Sequence, residues 1–226
     1  MADPQEHADL EQPVAEPADA ATPQHDTESE AAQFEPLTAT YEHLRHSENA
    51  DELHDFAVRE LPDRADLAAF SRATALLEAV AGNEHTPVED RVHLAQTMPF
   101  PNVLVKLSQD AQAQVRQAVA SNTDCKNWLV GRLTKDDDAQ VRSAALHNPQ
   151  TSWKMRLEGA QNPDVDAQTL DFLGKLGVEI EPSAPMVLST MVRRAVALNP
   201  STSQETITRL ANDGMPEVAR AARSRL

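Results

Sequence analysis

The sequence predicts an all-α fold made of short helical repeats, and three observations predict it. The octets Val115–Asn122 (VRQAVASN), Val141–Asn148 (VRSAALHN) and Val192–Asn199 (VRRAVALN) align residue for residue. Val115 and Val141 stand 26 residues apart, as do Val192 and Val218, where VARAA opens a truncated last copy. No alternation of apolar and polar residues of the kind a strand needs occurs in 85–226. Self-similarity at a fixed period marks an architecture in which each unit buries its apolar face on its neighbours.

The chain divides by composition into three segments. Residues 1–36 hold ten acids and no Lys or Arg, with almost no large apolar side chains. Such a stretch cannot offset the entropy of ordering, so an acidic, Pro/Ala-rich disordered tail is expected there, solubilising or regulatory. Residues 37–84 carry helical spacing: Tyr41, Leu44, Leu53, Phe56, Ala57 and Leu61 form one run, stopped by Pro62. Ala65 to Ala81 forms a second, with Gly82-Asn83 as its C-cap, and this pair is expected to cap the N-terminal end of the repeats. Residues 85–226 are the repeat domain, with an early weak copy at Asp90-Arg91 and about five copies in all. Between Val141 and Val192 lie 51 residues, so a degenerate copy is expected at 167–191.

Each copy has a second half. Asn-Pro or Asn-Thr ends the first helix, because proline pushes the residue before it out of helical geometry. A polar stretch then leads into apolar positions such as Leu129, Val130 and Leu133, or Ile207, Leu210 and Ala211, and Ser or Thr can cap this second helix. An Asp-containing turn (136–138, 212–214) leads to the next Val-Arg.

These segments resemble the leucine-rich repeat variant, best over Val192–Glu217 (VRRAVALNPSTSQETITRLANDGMPE), and are similar to HEAT-like repeats. A HEAT repeat needs about 40 residues, which separates the two by period. The resemblance implies a right-handed α-solenoid of alternating helices. The best-known member of that family carries an N-terminal cysteine cluster holding iron and sulfur. Here Cys125 is the one cysteine, so no such cluster is expected, nor any other cofactor or metal.

The candidate site residues fall into two groups. Arg116, Arg142 and Arg193, with Arg91 as a fourth, share one repeat position; Asp110 and Asp136 precede Arg116 and Arg142 by six residues. A structural ladder of bidentate pairs between repeats is favoured over a phosphate track. Trp128, Trp153, Lys126, Arg132 and Arg209 form a candidate partner surface, although both tryptophans fit a core position equally well. His43 and His46 have tolerable metal spacing but lack further ligands, and Cys125 has no histidine near it in sequence. No phosphate-binding, zinc-protease or nucleophile-elbow motif is present.

The function expected is a non-catalytic scaffold for protein–protein interaction. A lone thiol, no secretory signal and no bilayer-spanning run make it cytoplasmic, with no membrane contact. Nucleic-acid binding regulated by the acidic tail is the alternative. The overall charge of −16 is carried by the front half, and residues 91–226 have a net charge of only +2, far from a basic footprint.

Overall fold

The computed structural model describes residues 36–226, so the acidic segment up to residue 35 lies outside the described residues. Among the described residues there are thirteen helices and no strand beyond an isolated Leu176–Ile180 bridge.

The segment expected to hold two helices holds three: α1 (Leu37–His46), α2 (Ala50–Ala57) and α3 (Leu67–Ala81). The first run breaks because Asn49 offers a better start than a continued helix. Its carboxamide oxygen accepts from the Asp51 and Glu52 amides, while Ser47 donates to the Glu52 carboxylate. Asp66 caps α3 in the same way, through the Ala69 amide.

The repeats follow as α4 (Val88–Thr97), α5 (Pro101–Leu107), α6 (Ala113–Ser121), α7 (Asn127–Leu133), α8 (Ala139–His147), α9 (Trp153–Gln161), α10 (Ala167–Leu173), α11 (Met186–Leu198), α12 (Gln204–Leu210) and α13 (Pro216–Arg223). The second helices α5, α7, α10 and α12 are α-helical and only seven residues long. Helices this short do not hold in water by themselves, so packing must maintain them. Ser152 and Ser203 cap α9 and α12, as the sequence suggests, and Pro101 and Pro216 open α5 and α13.

Helices alternate between two layers, and side chains tie each layer along its length. In the odd layer, Arg72 reaches Thr40, Asn102 reaches Glu78, Arg132 reaches Ser108 and Lys135 reaches Glu158. The even layer is joined by His54–Asp90, Ser143–Thr169 and Asp171–Arg209. The apolar core lies between the layers in two clusters, one from Leu44 to Ala145 and one from Leu146 to Ala222.

An asparagine at the end of α3, α6, α8 and α11 locks that helix to the helix before it in the same layer. Asn148 donates to the Ala120 and Asn122 carbonyls at 2.7 and 2.9 Å, and its oxygen accepts from the Gln150 amide. Asn83 grips Leu44 and Ser47, Asn122 grips Ala95 and Met98, and Asn199 grips Ala160 and Asn162. In the last copy Arg225 takes the asparagine's place and donates to the Ala197 and Asn199 carbonyls. Buried helix ends need such partners, because their last carbonyls have none within the helix.

The ladder changes layer twice. It joins α1 to α3 in the odd layer, then α4, α6 and α8 in the even layer, then α9, α11 and α13 in the odd layer again. At each change the second helix is long and serves as the first helix of the next copy. These are α4 and α9, of ten and nine residues where seven is usual. Each carries a buried arginine, Arg91 or Arg156, eight residues after the preceding Asn83 or Asn148.

This corrects the expected copy at 167–191. The intermediate copy is α9, with Arg156 and Asn162 standing where Arg142 and Asn148 stand in α8. Residues 167–191 hold its second helix, α10, and then a non-helical connection over 174–185. Gly177, at φ +76°, and Glu181, at φ 50°, turn the chain there.

Candidate interaction surface

The arginine column faces inward, on the ladder helices. Arg116 grips the Asp136 carboxylate with two nitrogens, each at 2.8 Å, and gives its third nitrogen to the Asp110 carbonyl. Its carboxylate partner therefore stands twenty residues ahead, not in the turn six residues before, which supplies backbone oxygen only. Arg193 repeats this with Asp213 at 2.7 Å and the Leu176 carbonyl, and Arg91 pairs with Asp110. The Arg116 hydrogen bonds outweigh burial and hold the Asp136 carboxyl below its ordinary value.

Arg142 departs from the pattern. It donates to the Asp136 and Asp137 carbonyls at 2.8 Å and has no carboxylate. The position twenty residues on is Asn162, because the layer change replaces the short helix and its Asp turn with α9. Arg156 is the ladder arginine of that copy, and sequence reasoning missed it. It is 1% exposed, holds Glu181 at 2.7 and 2.8 Å, and lies 4.8 Å from the Trp153 ring centre. The signal was present, since Arg156 precedes Asn162-Pro163 by six residues just as Arg142 precedes Asn148-Pro149.

The last complete copy is Val192 to Glu217, in which Asn199, the Ser203 cap and the Asp213 turn succeed one another along α11 and α12. Residues 191–215 match the family model of the leucine rich repeat variant. No curated protein and no solved structure matches the chain. The leucine rich repeat variant stretch begins inside α11, spans α12 and ends at Met215, just before α13, so it covers one repeat period.

The five candidate surface residues do not all come together. Trp128 is 56% exposed on α7, with Lys126 and Arg132 exposed beside it. With Gly131, Lys135, Ser152 and Met155, Trp128 and Arg132 line an open cleft of about 500 Å³ between α7 and α9. Trp153 instead packs against the core and stacks with Arg156. Arg209 is tied down by the Asp171 carboxylate at 2.7 Å and the Gly174 carbonyl, as a strut between α10 and α12. Burial disfavours the ionised Asp171, yet its hydrogen bonds from Lys175, Arg209 and Thr206 bring its pKa down to about 2.

Groups that chemistry would need are otherwise engaged. Cys125 is buried, and that burial pushes its thiol up to about 11, so thiolate is scarce at neutral pH. His43, His46 and His54 face three different carboxylates, those of Glu52, Glu42 and Asp90. Among the described residues no three His, Cys, Asp or Glu side chains cluster to hold a metal. Nor, among them, is any helix long and apolar enough to cross a membrane.

Proposed function

We propose that this chain is a non-catalytic helical-repeat scaffold that binds another protein, acting in the cytoplasm, with Trp128 at the centre of one contact surface. The observation that carries this reading is the exposed indole in a cleft lined by Arg132 and Lys135. Exposed tryptophan beside cationic side chains is the composition of an interface anchor. In this reading Arg116, Arg193, Asp110 and Asp136 are structural, joining neighbouring repeats, and Arg142 braces its own turn. With Arg91, Arg116, Arg156 and Arg193 already paired to carboxylates, the column leaves no continuous track for phosphate, which favours a protein over a nucleic acid. Residues 37–84 close the N-terminal end of the stack, and the acidic residues 1–36 would repel phosphate.

The test is affinity capture from lysate with the full chain and its Trp128→Ser variant, scored for protein and nucleic acid after nuclease treatment. A discrete protein retained by the parent and lost from the variant supports the reading. Retention of nucleic acid, dissolving steeply with salt and indifferent to Trp128, overturns it.

A further inference from the structure

An exposed apolar stripe lies on α11. This helix is thirteen residues long where α9, its neighbour in the odd layer, has nine. Its two faces are cleanly divided. Ser189, Thr190, Val192, Arg193, Val196 and Ala197 are buried, whereas Val187, Met191, Arg194 and Leu198 are exposed. Those four follow one another at steps of four, three and four residues. That is the spacing of a seam that pairs with a second helix. Val187 is 69% exposed, Met191 46% and Leu198 48%, which is unusual for three large apolar side chains on one stripe. Beside the seam, Leu157, Gln161, Ala195 and Pro200 complete a cleft of about 250 Å³ that can seat one apolar side chain.

Charge says what would cover it. Arg194 on α11 and Arg220 on α13 occupy one repeat position, each just after the ladder position held by Arg193 and Ala219. Arg194, Arg220 and Arg223 are exposed, and none is in an ion pair among the described residues. The one acid on these two helices is Glu217. A second copy of the chain fits poorly, because a two-fold pairing of α11 would bring each Arg194 and its neighbours toward the same arginines.

We propose that the α11 seam binds an amphipathic helix of a protein partner, its apolar stripe laid on Val187, Met191 and Leu198 and its acidic flank facing Arg194 and Arg220. This deepens the scaffold reading and rests on it, but names a surface other than Trp128.

The probe is a pair of synthetic helix-forming peptides with leucines at i, i+4, i+7 and i+11, one carrying glutamates on the flank and the other glutamines. Binding to the full chain is followed by fluorescence anisotropy. The glutamate peptide is expected to bind at least tenfold tighter, with the difference closing in high salt. Met191→Asp should weaken it at least tenfold with the melting temperature unchanged, and Arg194→Glu should abolish the preference over glutamine. Equal binding of both peptides, or binding indifferent to these substitutions, overturns the proposal. So does concentration-dependent self-association that Met191→Asp abolishes, since a second copy would then be the occupant. Failure of the glutamate peptide while Trp128-dependent capture persists overturns this proposal and leaves the scaffold reading standing.

Discussion

Replacing Asn148 by Ala should destabilise the whole array, although the side chain lost is small and polar. Asn148 is 3% exposed, and its carboxamide joins three backbone groups across two repeats. The Asn122 carbonyl retains the Cys125 amide, so it is not orphaned. The Ala120 carbonyl loses the Asn148 donor, and the Gln150 amide loses its acceptor. A buried polar group left unpaired costs ~1–3 kcal/mol, and water can reach the exposed Gln150 side of the site more easily than the Ala120 side. The expected loss is therefore about 3 kcal/mol. With a urea slope of about 3 kcal/mol/M the unfolding midpoint falls by ~1 M at unchanged slope. Asn148→Asp separates donor loss from acceptor loss: the carboxylate still accepts from Gln150 but cannot donate, so it should be at least as damaging at neutral pH and partly recover as it protonates. A midpoint shift below about 0.3 M for Asn148→Ala, or equal behaviour of Asn148→Asp at all pH values, would refute the ladder as a source of cohesion.

Four further outcomes are expected. Gly177→Ala drives a Cβ into the Ser189 side chain at φ +76°, so it should lower stability by about 2 kcal/mol in urea unfolding. The Asp171 pKa is lowered to about 2 and that of Asp136 is lowered as well, so their contribution is present above pH ~4 and lost as pH falls through the folded values. Asp171→Asn should flatten the acid limb of a stability–pH curve, and an unchanged limb contradicts that. Cys125 should resist a thiol reagent in the native state and react at once in denaturant, since it is buried and its thiol is pushed up to about 11. Trp128→Ser should leave the unfolding free energy within about 0.5 kcal/mol of the parent in urea, because the side chain is mostly in solvent.

The repeat was legible because its strongest positions recur at fixed spacing. Val115, Val141 and Val192 share one repeat position in the aligned octets, and all three are buried. The layer change was not legible from period alone. A 51-residue gap suggests two equal copies, but the Asn162-Pro163 stop divides it into 14 and 37. The aspartate partners were also mistaken, because a turn residue six positions back looks near in sequence. Once helices stack, the turn of the following copy is the closer carboxylate. Trp128 stands six residues after Asn122 but Trp153 only five after Asn148, and that one-residue offset, about 100° around a helix, separates an exposed ring from a packed one. The α11 seam was hidden by its own regularity, since a buried stripe and an exposed one have the same period.

All of this rests on α9 being a ladder helix, with Arg156 as its inward arginine. A double-mutant cycle between Arg156 and Glu181, read by equilibrium unfolding, tests that most directly. Glu181→Ala leaves Arg156 buried without its carboxylate and should cost about 3 kcal/mol, with a coupling of ~2 kcal/mol to Arg156→Met. A pair of substitutions that are each within about 0.5 kcal/mol of neutral, and additive, would place Arg156 on the surface of an ordinary second helix and contradict the layer change.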